Sequence, residues 1–187
     1  MDIEIRSGGN LRATSPGKLC GYAAVFNAPS QDLGGFIERI LPGAFTRSLS
    51  KADHIRALLE HDTQRMLGRV GSKTLTLRED QHGLAFELAL PDTSYARDLS
   101  VLVERGDIAG CSFGFKVPEG GDAWEMRSGQ LMRDLITVEL HEITITSNPA
   151  YLDTTVAKRA MESWQFNQSL NDPLFVDLNQ SFWMKTL

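Results

Sequence analysis

At 187 residues with 42% hydrophobic side chains, the chain can bury one substantial core but is short for two independent domains, so one compact domain with an extension is expected. A formal net charge of −5, from 24 acidic and 19 basic side chains without a Lys/Arg cluster, offers no positive field for phosphates and argues against nucleic acid as substrate. Two cysteines, Cys20 and Cys111, are too few for a secreted disulfide scaffold and lack zinc-site spacing, which fits a reducing intracellular compartment; neither a signal peptide nor a membrane span is visible.

From Ile3 to Val117 the apolar residues come in short, locally alternating runs broken by Gly, Pro, Asn or Asp, the pattern of many short strands. The runs predict strands near 3–6, 19–26, 36–40, 55–61, 66–70, 74–79, 83–90 and 110–117. Residues 43–50, behind Pro42, predict a short helix, and Ser94 caps a predicted second helix that carries Tyr95, Leu99 and Leu102 on one face and stops at Gly106. Ser128-Gly129 turns a hairpin between 123–127 and 130–133. Leu135 to Thr146 then reads as one long strand ending at Asn148-Pro149, with Asp153 or Thr154 capping a helix to about Trp164.

Strands in succession with a few helices predict a mainly β (α+β) architecture: an antiparallel, closed or nearly closed β-barrel with peripheral helices, because closure removes edge strands. Residues 1–160 form the expected barrel domain, and 161–187 an aromatic-rich C-terminal extension. From Trp164 onward the chain holds five of its fifteen aromatics and no basic residue before Lys185, too apolar for a solvated tail. It is expected to dock on the domain, or to be a partner-binding or self-cleaved segment. Nucleotide-binding glycine motifs are absent.

Chemistry concentrates in Asp107-Ile-Ala-Gly-Cys-Ser-Phe-Gly-Phe-Lys-Val117. Strand alternation puts Cys111, Phe113, Phe115 and Val117 on one face and Ser112, Gly114 and Lys116 on the other. With the aromatic face inward, Ser112 points out beside a glycine that leaves room for a substrate backbone, the place for a nucleophile. His61, at the end of an apolar strand, is a candidate base, since an imidazole with an unperturbed pKa of about 6.5 takes and returns a proton near neutral pH. Glu142 lies opposite Ile143 and Ile145 by alternation, on the outward side like Ser112, where a carboxylate could fix the imidazole tautomer. Cys111 is a rival nucleophile, but its phase buries it between aromatics as inert packing. His54, His61, Asp62 and His82 could be considered as metal ligands, yet they lack an H-E-x-x-H or comparable pair, and surface histidines explain them better.

Five short stretches occur in order: Gly21-Tyr-Ala-Ala-Val-Phe26, Glu38-Arg-Ile-Leu-Pro-Gly-Ala-Phe45, Leu58-Leu-Glu-His-Asp62, Gly110-Cys-Ser-Phe-Gly-Phe115 and Leu140-His-Glu-Ile-Thr-Ile-Thr-Ser-Asn-Pro-Ala150. In these the chain resembles the HK97-type prohead (capsid maturation) serine proteases of tailed phages, from about Gly21 to Lys158. The resemblance implies a fold similar to herpesvirus assemblin, a Ser112, His61 and Glu142 triad, and no cofactor. It also implies a serine endopeptidase acting in the host cytoplasm inside the assembling prohead. Its substrate would be the scaffolding segment of the major capsid protein or a separate scaffold protein, together with the protease itself. A homo-oligomer is a further expectation, since assemblin relatives dimerise. His141 competes for the third position because those relatives use a second histidine there; alternation, which turns His141 toward the core, favours Glu142. Backbone N–H donors at Ser112 and Gly114 are the expected oxyanion site, worth on the order of 10²–10³ in rate. The alternatives are a catalytically silent barrel that binds capsid or scaffold, and a hydrolase using the same triad on a non-peptide ester or amide.

Overall fold

The computed structural model describes residues 3–147 and 154–170. Eleven strands lie among them: β1 (Glu4–Ser15), β2 (Lys18–Val25), β3 (Ile37–Ile40), β4 (Arg56–Leu59), β5 (Asp62–Arg69), β6 (Leu75–Glu79), β7 (Gly83–Ala89), β8 (Gly110–Lys116), β9 (Asp122–Arg127), β10 (Gln130–Leu135) and β11 (Glu139–Thr146). Three α-helices accompany them: α1 (Thr46–Leu49), α2 (Ser94–Arg105) and α3 (Thr154–Leu170).

Eight strands form one sheet in the order β5-β4-β11-β8-β1-β2-β7-β6, and β3, β10 and β9 form a second. The pairing is antiparallel apart from β4 with β11 and β3 with β10. The mainly β, α+β class is as expected, but the barrel does not close. β5 and β6 remain unpaired edges, and β5 meets the far end of the sheet through side chains, where Gly68 leaves space for Leu88 and Thr74. Packing rather than a hydrogen-bond ladder bridges the two ends.

Alternation builds the core. On β8, Cys111, Phe113 and Phe115 turn inward against Phe45, Ile143 and Ile145, with Phe113 and Phe115 stacked at 5.1 Å. Helix α2 covers this core with Ala96 and Leu99 and stops at Gly106, whose left-handed φ of 83° suits a residue without Cβ. Its N-cap is Thr93 rather than the predicted Ser94, which is the first helical residue.

The predicted strand at 3–6 extends to Ser15. Gly8, Gly9 and Asn10 look like a loop in sequence, yet Gly9 and Asn10 pair with Cys111 and Gly110 of β8 past a bulge at Gly8, pairing with β2 takes over at Leu11, and a Cβ at Gly9 would sit 1.5 Å from the Tyr22 carbonyl oxygen. The predicted strand at 135–146 divides instead: Leu135 ends β10, and β11 begins at Glu139. The expected strand end at Asn148-Pro149 and the Asp153 cap lie outside the described residues.

Against the inner face of β8 the small sheet brings a buried ion network. Arg133 Nη1 donates to Glu4 Oε2 at 2.8 Å and to Glu38 Oε2 at 2.9 Å, and its Nε donates to Asp122 Oδ2 at 2.7 Å. Arg6 donates to Glu38 and Glu4 at 2.8 and 2.6 Å and lies over the Phe115 ring. Helix α3 seats Met161 and Trp164 on Leu33, Phe36 and Leu131, with Trp164 stacked on Trp124 at 5.6 Å. The expected boundary between residues 160 and 161 therefore falls inside one continuous helix; residues 171–187 lie outside the described part. No described helix is long and apolar enough to cross a membrane.

Candidate active site

Four adjacent strands set the site. Ser112 on β8 is paired with Ser7 on β1 and with Thr144 on β11, and Thr144 in turn pairs with Leu58 on β4. Paired residues share a face, so Ser7, Ser112, Thr144 and Leu58 form one row across the side opposite Phe113 and Phe115. The neighbouring row carries Ile5, Gly114 and Glu142. The predicted alternation of β8 holds.

Glu142 lies on this face by regular alternation, and a bulge precedes it. The register of β11 against β8 slips between Leu140 and Glu142, so that Leu140 pairs with Phe115 and Ile143 with Phe113, both toward the core. His141 is the extra residue, and it does not join Ile143 and Ile145 in the core as alternation predicts. Its ring lies 6.3 Å from that of His54, its Nε2 has no hydrogen-bond partner, and burial holds its pKa below the usual histidine value.

His61 sits in the turn between β4 and β5, not at the end of a strand spanning 55–61. Leu59 pairs with Asp62, leaving Glu60 and His61 as a two-residue hairpin turn with φ of 51° and 57°. Such left-handed pairs match the twist of flanking strands and favour Asn-Gly; each non-glycine residue there costs about 1–2 kcal/mol. Three hydrogen bonds to the end of β11 offset that cost. The Glu60 N–H donates to the Ile145 carbonyl at 3.0 Å, and its carboxylate accepts from Thr146 Oγ1 and the Ser147 N–H, each at 2.7 Å. Burial pushes the Glu60 carboxyl up, but these donors hold it below the usual carboxylate range.

Folded back over the sheet, His61 joins the other two residues. Ser112 Oγ donates to His61 Nε2 at 2.7 Å, and His61 Nδ1–H donates to Glu142 Oε1 at 2.9 Å. Thr144 Oγ1 is 3.4 Å from the same carboxylate oxygen. The line is continuous: in the tautomer that donates from Nδ1 to the carboxylate, Nε2 presents a lone pair to the serine hydroxyl, the arrangement needed to remove its proton during attack on a carbonyl.

Exposure departs from expectation. Ser112 is 2% exposed and Glu142 8%, and only His61, with 24% of its side chain exposed, opens toward solvent. The room beside Ser112 is also taken: a Cβ on Gly114 would lie 2.9 Å from Glu142 Cγ and 3.3 Å from Ile3 Cγ2. That glycine admits the carboxylate rather than a substrate backbone. The triad also stands apart from a groove of about 550 Å³ lined by Leu11, Tyr22, Arg78 and Phe86.

The rival candidates are placed elsewhere. Cys111 faces the core, fully buried, and burial pushes its thiol far above the usual range, so it carries no thiolate. His82 packs edge-on to Tyr22 at 4.5 Å, and His54 Nδ1 bonds the Lys51 carbonyl. Sequence reasoning missed Glu60, Thr144 and Ile3. For Glu60, adjacency to His61 is the only available signal; Thr144 could have been found by aligning β11 with β8.

Comparison with known proteins identifies the family. Residues 2–168 match the family described as caudovirus prohead serine protease. Over 154 residues the chain is 32% identical to the prohead protease of Enterobacteria phage HK97, covering 81% of this chain and 63% of that protein, so it matches less than two thirds of that relative's length. No solved structure gives a significant match. By the family match over residues 2–168 and the 32% identity across most of its length, the chain belongs to the caudovirus prohead serine proteases.

Proposed function

We propose that this protein is a serine endopeptidase of prohead maturation, with Ser112 as nucleophile, His61 as general base and acid, and Glu142 as the residue that orients the imidazole. The hydrogen-bonded line from Ser112 through His61 to Glu142 carries the reading.

In the first half-reaction His61 Nε2 takes the Ser112 proton as Oγ attacks a peptide carbonyl, and the imidazolium formed is stabilised by the Glu142 carboxylate. The same proton then passes to the departing amine as the C–N bond breaks, leaving an acyl-enzyme. Water then attacks the acyl carbonyl and gives a proton to His61 Nε2, which passes it to Ser112 Oγ as the ester C–O bond breaks and the acid product leaves. Burial of Ser112 and Glu142 strengthens each of these interactions relative to water. Backbone N–H groups at Ser112 and Gly114 are the proposed oxyanion donors. Both residues lie in a strand paired on two sides, so a donor there would share its N–H with the sheet.

The substrates proposed are the scaffolding segment of the major capsid protein, or a separate scaffold protein, and the protease itself, inside the prohead in the host cytoplasm. A homo-oligomer belongs to the same proposal. Intact mass after incubation of wild-type and Ser112→Ala protein with the cognate capsid protein tests this, with cleavage by wild type alone expected. Cleavage by both would remove Ser112 as nucleophile. Cleavage by neither, with no labelling by a fluorophosphonate, would overturn the protease reading.

A further inference from the structure

We infer that Glu60 is a positioning residue for the active site: its carboxylate clamps the hairpin turn that carries His61 to the end of β11, and so holds the imidazole between Ser112 and Glu142. This rests on the protease reading above.

The observations converge on one corner of the sheet. Glu60 and His61 both take the left-handed conformation, unusual for two successive residues with side chains, in a turn that supplies a member of the relay. Without an anchor such a turn relaxes toward ordinary conformations, and a change of φ at residue 60 moves the next side chain away from Ser112 and Glu142. The anchor is Glu60 itself. One carboxylate oxygen accepts from Thr146 Oγ1 and the other from the Ser147 N–H, each at 2.7 Å, while the Glu60 N–H bonds Ile145.

Those three residues continue the strand that holds Glu142 and Thr144. Glu60 thus ties the base to the strand of the orienting carboxylate, and β11 is itself paired with the strand of the nucleophile. All three members of the relay are referred to a single element. Asp62 closes the turn on its other side, its Oδ1 accepting from the Gln64 N–H at 2.8 Å. The Asp62 carboxylate, however, meets only Gln64 and Arg65 of β5, so it shapes the hairpin without fixing it to β11.

Four full-length variants test the clamp: Glu60→Ala, Glu60→Gln, Thr146→Val and, as reference, Ser112→Ala. Two readouts are taken, the rate of labelling by a fluorophosphonate and the low-field proton resonance of His61 Nδ1–H, which needs only the His61–Glu142 hydrogen bond. Glu60→Ala should label about 10²-fold more slowly than wild type, the effect of displacing a reacting group by about 1 Å, and should lose the resonance. Glu60→Gln can still accept from Ser147 and pair with Thr146, so it should keep the resonance and label within about fivefold of wild type.

Unchanged labelling and resonance in Glu60→Ala would overturn the inference. Equal labelling losses in Glu60→Ala and Glu60→Gln, with the resonance kept in both, would show that Glu60 acts by charge and would overturn the clamp. Should Glu60→Ala fail to fold, Thr146→Val removes one of the two carboxylate anchors; a weakened resonance supports the clamp and an unaltered one overturns it. If wild type itself does not label, the protease reading fails, and the resonance still decides the role of Glu60.

Discussion

The large sheet carries a buried polar constellation on each face, and the two differ in what their members can do. On the face of Phe113 and Phe115, Arg133 and Arg6 meet Glu4, Glu38 and Asp122 in bonds of 2.6 to 2.9 Å. On the opposite face Ser112, His61 and Glu142 make bonds of similar length. Burial and charge therefore do not separate a catalytic cluster from a structural one. The arginine network is closed, since its guanidinium donors and carboxylate acceptors satisfy one another. The Ser112–His61–Glu142 line is open: it holds an imidazole in a left-handed turn, partly exposed, beside a hydroxyl rather than a fixed counter-charge.

That contrast can be broken by substitution. Ser112→Ala should lower the turnover number by about 10⁶-fold in a capsid-protein cleavage assay while leaving thermal unfolding close to wild type. Glu142→Gln should cost about 10⁴-fold in turnover, because an amide can hold the wrong imidazole tautomer, again with little change in folding. Arg133→Met reverses the pattern. It leaves buried carboxylates uncompensated and should lower the unfolding free energy by about 3–5 kcal/mol in urea titration, with fluorophosphonate labelling per folded molecule unchanged. A variant of the network that abolished labelling while still folded would erase the distinction.

Acid sharpens it further. Burial works to raise the Glu4 carboxyl from its ordinary 4.5, but Arg133 and Arg6 bring it below that value; Arg39 and Arg127 hold Asp134 below 3.8. Carboxyls lowered by folding stabilise fully above their unfolded values, and that contribution disappears as the pH falls through the folded ones. Unfolding free energy should thus show no loss from these groups between pH 7 and about 5 and should fall below about pH 4. The smallest effect concerns Cys111, which should resist a thiol reagent at neutral pH in the folded protein and react on unfolding.

The residues legible in the sequence are those whose roles depend on local period. Alternation from Gly110 to Val117 was enough to separate Ser112 from the aromatic core, because β8 is straight and paired throughout. His141 was misjudged because one inserted residue exchanges faces, and a bulge leaves no compositional mark. The His61 turn was read as strand because Glu60 and His61 are not turn residues; a tertiary anchor, not propensity, stabilises their backbone. Arg133 passed as an ordinary hairpin position because its partners lie at residues 4, 38 and 122, distances over which no short motif extends. Closure of the barrel was inferred from the cost of free edges, and the molecule meets that cost at β5 by side-chain packing instead.

The strand order also bears on when the site can assemble. The four strands around Ser112, His61 and Glu142 come from residues 4–15, 56–59, 110–116 and 139–146, so these three side chains meet only once segments from both ends of the described sheet have paired. Such non-local pairing is the slow kind, governed by closing long loops before any contact rewards it. The arrangement of Ser112, His61 and Glu142 is therefore a late product of folding, set by topology rather than by any local segment.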